Sequence, residues 1–204
     1  MEEQSSGKQG LRDRHKERTR TALIEAAMRL FAERGYGHVT VDDICADAEV
    51  SARTFFRYFR SKDALLGATF LDLSEAVLAS LAEQPAGQDA WQSMRAALLE
   101  CCADVDADSA LFLQSYRVTN GAPDLFAASA GALIERERAV TEVLATRLTG
   151  RDRELRAQLL TGLGIVALRS AMEAWAGEDA RRPLADVLPR YLRAVEQGPA
   201  ELAR

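Results

Sequence analysis

Three hydroxyl residues, Thr40, Ser51 and Ser61, each stand one place ahead of a run with helical spacing. A hydroxyl at that place accepts an orphan N–H of the first turn, so each marks a helix start. Asp43, three residues after Thr40, can reach back to complete a capping box. The first two runs are short, 41–47 and 52–59, so the chain must reverse within residues 48–50. Two short helices joined by three or four residues describe a helix-turn-helix. The inward positions are apolar: Val41, Ile44 and Cys45 on the first helix, then Val50, Phe55 and Phe59. The outward positions offer donors: Ser51, Arg53, Thr54, Arg57, Tyr58 and Lys62. One position is unusual. Such turns favour glycine before Val50, and here it is Glu49. In a left-handed backbone a Cβ costs about 1 kcal/mol relative to glycine.

The other punctuation is also helical. Leu23, Ile24, Ala27, Leu30 and Phe31 predict a first helix over 14–34, closed by Gly35. Ser61 opens a fourth helix over 62–83, and Pro85-Ala86-Gly87 breaks the chain. Further helices are predicted over 89–104, 109–119, 123–148, 153–176 and 183–197. No strand pattern occurs. The fold class is therefore all-α, with about nine helices. Residues 1–10 read as a disordered tail, 11–62 as a three-helix DNA-binding domain, and 63–204 as a larger helical domain.

The net charge is −5, yet its distribution favours nucleic acid. Residues 8–20 hold six basic and two acidic residues, and 51–62 hold four basic residues and no acid. The 14 basic and 20 acidic residues of 67–204 leave that stretch at −6. A local patch, not the total, governs phosphate contact. The arm from Arg12 to Arg20 could lie on phosphates, enter a minor groove, or serve as a solubilising tail. Four basic residues without an acid also argue against a helix-turn-helix used only as a protein-interaction module without a ligand.

Enzyme chemistry finds little support. The two histidines, His15 and His38, both lie in the N-terminal half, so the helical domain has no histidine base. No Gly-rich phosphate loop, metal triad or catalytic set is present, so neither a metal nor a cofactor is expected. No apolar run approaches the roughly 20 residues of a bilayer span, and residues 1–10 lack an apolar signal core. Three cysteines, Cys45, Cys101 and Cys102, without a C-x-x-C pair, fit a reduced cytoplasmic protein. The adjacent pair on an apolar helix reads as buried packing rather than a redox sensor.

The N-terminal third resembles the tetracycline-repressor (TetR) family. The matching residues are Ala26-Ala27-x-x-Leu30-Phe31-Ala32-Glu33-Arg34-Gly35-Tyr36, then Thr40-Val41-x-x-Ile44-x-x-x-Ala48, then Val50-Ser51-x-x-Thr54-Phe55-Phe56-x-Tyr58-Phe59-x-Ser61-Lys62-x-x-Leu65. By position, the resemblance implies that Arg53, Thr54 and Arg57 read bases and nearby phosphates. It implies that Thr40, Ser51, Tyr58 and Lys62 grip phosphates. Phe56 stands where the family often has tyrosine. Without a hydroxyl it can pack on a thymine methyl or on a sugar. The implied partner is a double-stranded operator bound by a dimer, with repression as the output and a small molecule as its release.

The resemblance places a ligand pocket among the middle helices, with Trp91, Met94, Leu98, Phe112, Tyr116 and Phe126 as candidate lining. Arg169 lies inside the most apolar helix, and if buried it needs an anionic partner, from the protein or a ligand. The resemblance also makes the last two helices the homodimer interface. The apolar stretch from Leu159 to Trp175 supports this, with Leu159, Leu163, Val166 and Trp175 as candidate contacts. The Arg53–Phe59 helix and Ala171-x-x-Ala174-Trp175 further resemble regulators of the mycofactocin type. This implies a small apolar or amphipathic effector, with acyl-CoA among the candidates.

Overall fold

The computed structural model describes the backbone of residues 3–121 and 123–198, and the side chains of residues 14–121 and 131–198. Its described elements are ten α-helices and one 3-10 turn. The all-α expectation holds. The chain divides into two compact units, residues 1–68 with 118–129, and residues 69–117 with 130–204.

The first unit holds α1 (Glu3–Arg34), a 3-10 turn (Tyr36–His38), α2 (Val41–Asp47), α3 (Ala52–Tyr58) and α4 (Lys62–Leu66). α1 starts well before residue 14, so the backbone over 3–10 is helical where the sequence predicts a disordered tail. Extending a helix that has already nucleated costs little, even without apolar side chains to bury. The α1 residues read at helical spacing, Leu23, Ile24, Ala27, Leu30 and Phe31, are all buried, together with Ala26 and Met28. Gly35, at φ 80, ends the helix, its N–H donating to the Phe31 carbonyl at 2.9 Å.

The predicted fourth helix is two helices. α4 stops at Gly67, and α5 (Ala68–Glu83) follows. Glycine is the weakest helix former after proline, which places the break there. The second unit also holds α6 (Ala90–Ala107), α7 (Ser109–Asn120), α8 (Pro123–Thr146), α9 (Arg153–Gly177) and α10 (Leu184–Gln197), of which α7 and α8 each leave a few residues in the first unit.

The core of the second unit joins Leu81, Met94, Leu98, Phe112, Leu144, Ala171, Trp175, Leu188 and Leu192. Gly164 leaves room for the Met94 side chain in this packing. A Cβ there would stand 2.5 Å from Met94 Cε and 3.4 Å from Leu98 Cδ1, so α6 and α9 meet where a side chain is missing. Cys101 and Cys102 are buried in the same core, and burial pushes both thiols up to about 12. They stay protonated at neutral pH, and a protonated thiol is a poor redox sensor.

α9 has two different faces. Its inner face, including Ala157, Thr161, Gly164, Ala171 and Trp175, is buried. Its outer face keeps Leu155, Leu159, Leu163 and Val166 at 55, 58, 42 and 45% exposure. Two expectations change as a result. Trp175 is 1% exposed, rests against Phe112 and donates its indole N–H to the Arg182 carbonyl, so it serves its own core and not a partner. Arg169 is exposed, so its charge needs no buried anion. The sequence shows one apolar helix, but helical geometry sends those residues in two directions. By length and composition α9 is also long and apolar enough to cross a bilayer, unlike the shorter apolar runs the sequence suggested. Its inner face is nevertheless packed against α6 and α10.

α10 is preceded by Pro183 at the N-cap position, which provides no side-chain cap. The cap comes from another helix: the Asp106 carboxylate accepts the N–H groups of Leu184 at 2.6 Å and Ala185 at 3.1 Å. Asp106→Ala should cost about 1–2 kcal/mol, as for loss of a local cap, while leaving helical content intact. Urea unfolding followed by circular dichroism measures this, and an unchanged midpoint would show that the cap contributes nothing.

Candidate nucleic-acid interface

Local hydrogen bonds define the motif helix by helix. At α2, Thr40 Oγ1 accepts the Asp43 N–H at 3.1 Å, and Asp43 Oδ2 accepts the Thr40 N–H at 2.8 Å. This is the predicted capping box. The Thr40 hydroxyl and N–H also hold the Asp43 carboxyl below its usual range. At α3, Ser51 Oγ accepts the Thr54 N–H at 3.1 Å and lies 3.0 Å from the Thr54 hydroxyl. At α4, Ser61 Oγ accepts the Ala64 N–H at 3.2 Å.

The turn between α2 and α3 is a Schellman closure. The Val50 N–H donates to the Cys45 carbonyl at 2.9 Å, and the Glu49 N–H to the Ala46 carbonyl at 3.4 Å. Glu49 itself sits at φ 54, in the left-handed region that favours glycine. The departure read from the sequence is therefore a real backbone cost.

α3 buries Phe55 and turns Arg53, Phe56 and Arg57 outward. Positions 53, 56 and 57 share one helical face. Phe56 is 57% exposed. Arg57 lies over the Tyr58 ring at 5.0 Å and donates weakly to its hydroxyl at 3.4 Å. Among the described residues, neither Arg53 nor Arg57 is paired with a carboxylate. Arg60, just past the helix, is exposed too. Thr54 and Tyr58 are half-buried.

Lys62 has a second task that spacing does not reveal. Its ammonium donates to the carbonyls of Tyr36 at 3.0 Å and Val39 at 2.9 Å, and stands 4.1 Å from the Tyr36 ring centre. The Tyr36 hydroxyl bonds to Asp63. These contacts tie the loop before α2 to the start of α4. On α1, Arg14, Lys16 and Arg18 are exposed, while Arg20 is half-buried over the Phe59 ring. Arg12 lies outside the described side chains.

The candidate pocket residues gather only in part. Met94, Leu98 and Phe112 are buried core, and Trp91 and Tyr116 pack against it from partly exposed positions. Trp91 donates its indole N–H to Glu196 at 2.9 Å. Arg169 stands apart in solvent, and Phe126 lies outside the described side chains.

Residues 23–69 match the family model for bacterial regulatory proteins of the tetR family. Residues 68–200 match the model for the MftR C-terminal domain. The chain belongs to the TetR family. A curated relative, the HTH-type transcriptional regulator TcmR of Streptomyces glaucescens, is 35% identical over 144 residues. That match takes in 68% of this TetR-family chain and 64% of the relative's length. Solved structures share the fold. A TetR-family regulator from Streptomyces coelicolor A3 aligns with a TM-score of 0.55 and 22% identity, covering 88% of this chain and 93% of that one. NalD of Pseudomonas aeruginosa, the secondary repressor of the MexAB-OprM multidrug efflux pump, gives 0.57 and 16% identity, covering 91% and 97%. The fatty acid degradation regulator FadR of Bacillus halodurans gives 0.56 and 16%, covering 88% and 95%.

The strained turn makes a simple test. Glu49→Gly should stabilise the protein by up to about 1 kcal/mol, the left-handed penalty less the entropy glycine adds to the unfolded chain. Urea midpoints of the two proteins report it. A loss of stability would mean that the Glu49 side chain holds the turn.

Proposed function

We propose that the chain is a ligand-responsive transcriptional repressor, a binding protein rather than an enzyme. A homodimer binds a pseudo-palindromic operator, and a small effector releases it. The observation that carries this reading is α3. It is capped, braced by Phe55, and presents Arg53, Phe56 and Arg57 from a segment without a single acid. A helix so held can enter a major groove, and its cations can meet bases and phosphates. Membership of the TetR family and the transcriptional-regulator relative support the same reading.

Within it, Arg53 reads a base from the first turn of α3, with Thr54 and Arg57 beside it. Thr40, Ser51 and Tyr58 meet phosphates. Lys62 uses two donors on carbonyls and keeps the third for a phosphate. Residues 11–62 form the DNA-binding domain, and residues 63–204 dimerise and take the effector. The exposed stripe Leu155, Leu159, Leu163 and Val166 is the surface a second copy covers. The match to an MftR C-terminal domain and the apolar core of the second unit support an apolar or amphipathic effector, with acyl-CoA the first to test. A DNA-binding regulator of this kind works in the cytoplasm.

Duplexes selected from random DNA should be pseudo-palindromes, mirroring a two-fold dimer. Arg53→Ala should relax preference at one position per half-site, worth roughly 1–3 kcal/mol of discrimination. Lys62→Ala should weaken all sequences alike and lower the salt slope by about one for each phosphate the lysine neutralised. It should also lower stability, because the Val39 carbonyl loses its donor and the Tyr36 carbonyl keeps only the Val39 N–H. Binding isotherms on matched and mismatched sites at several salt concentrations separate the two roles. Equal weakening of every site by Arg53→Ala would reassign base reading to Arg57.

The dimer is tested separately. Leu163→Arg should convert the dimer to monomer in light scattering at micromolar concentration. A wild-type monomer under those conditions would overturn the dimeric reading.

A further inference from the structure

We infer that Phe56 recognises the C5-methyl group of one thymine in each half-site of the operator. The inference rests on the DNA-binding reading above and adds to it the chemistry that one side chain selects.

The ring is out of place for a folding role. It is 57% exposed, while its neighbours Phe55 and Phe59 are 0 and 5% exposed. Its described ring contact is with Phe55, edge to face, with centroids 5.3 Å apart and planes at 83°. The buried Phe55 thus braces the ring from behind and leaves its outer surface in water. Residues 53, 56 and 57 share one face of α3, so a cation lies one turn before Phe56 and another directly after it. The positive charge on both sides fits a polyanion, and Phe56 can neither donate to a phosphate nor accept from a base.

The surroundings decide which part of the DNA it meets. At base level the major groove offers one apolar group, the thymine methyl. Deoxyribose lies along the groove walls with the phosphates, away from the base edges that the neighbouring Arg53 reads. A ring one turn along from Arg53, on the same outward face, meets the base level that Arg53 reads. Burying the ring against a methyl takes apolar surface out of water, which is the gain that an exposed aromatic side chain has in reserve.

The test uses the full-length protein and an operator selected from random duplexes. Each thymine of the half-site is replaced in turn by deoxyuridine, in both half-sites, which removes the methyl and leaves the base pair unchanged. Wild type should lose about fourfold in affinity per half-site at one thymine position, the amount for one methyl group. It should bind an operator with 5-methylcytosine·guanine there more tightly than one with cytosine·guanine. Phe56→Ala should be indifferent to deoxyuridine at that position while remaining sensitive to base changes elsewhere. As a surface substitution it should leave the urea midpoint unchanged, which separates a defect in recognition from a defect in folding.

Wild-type affinity that ignores deoxyuridine at every position would overturn the inference. So would a Phe56→Ala protein that keeps the wild-type response, or one that weakens methylated and unmethylated sites equally, the behaviour of packing on a sugar. Failure to bind any selected duplex would overturn the DNA-binding reading itself, a result distinct from binding without regard to the methyl.

Discussion

The direction in which α3 faces depends on a reversal of three residues. α2 ends at Asp47, α3 begins at Ala52, and the chain must turn without spending more length. The Schellman closure does this by holding Glu49 in a left-handed conformation, with Val50 bonded back to the Cys45 carbonyl. A different turn would rotate α3 about its axis, and a rotation of one residue moves side chains by about 100°. Phe55 would then leave the core and Phe56 would enter it. The cost at Glu49 therefore maintains the division of α3 into a buried face and a presented face.

Around that turn the first unit uses polar contacts as well as burial. Its helices α2, α3 and α4 are short, so a large share of their backbone groups lies in first and last turns without intrahelical partners. Thr40, Ser51 and Ser61 satisfy some of these at the N-termini. Lys62 satisfies two carbonyls of the loop before α2. These residues act locally before they act on any partner, and a hydroxyl or ammonium that already holds the backbone is also held in place itself.

In the second unit the corresponding constraint is α9. One side of this helix is packed against α6 and α10, closely enough that a Cβ at 164 would displace the end of the Met94 side chain. The other side exposes a stripe of leucine and valine. Apolar surface of that kind is costly in water, and the inner face cannot rotate out to exchange with it. The helix is therefore committed to its own core on one side and available on the other.

The sequence alone determined the helices, most of their ends and the motif. Caps, glycines and apolar periodicity are local features, and the hydrogen bonds at Thr40, Ser51 and Gly35 follow from them. Arg53 and Arg57 were legible as outward for the same reason, while Phe56 was singled out only by the family resemblance, and Thr54 and Tyr58, read as outward, are half-buried. Contacts between residues far apart in the chain left no such trace. Asp106 caps a helix that starts 78 residues later, Lys62 reaches back to Tyr36 and Val39, and Gly164 opens room for Met94. The division of α9 also needed the tertiary structure. An apolar helix looks alike all round in sequence, and only its neighbours show that Trp175 turns inward, that Leu163 turns outward, and that Arg169 meets water. Local propensity fixed what each segment is, while packing between distant segments decided which of its faces is buried.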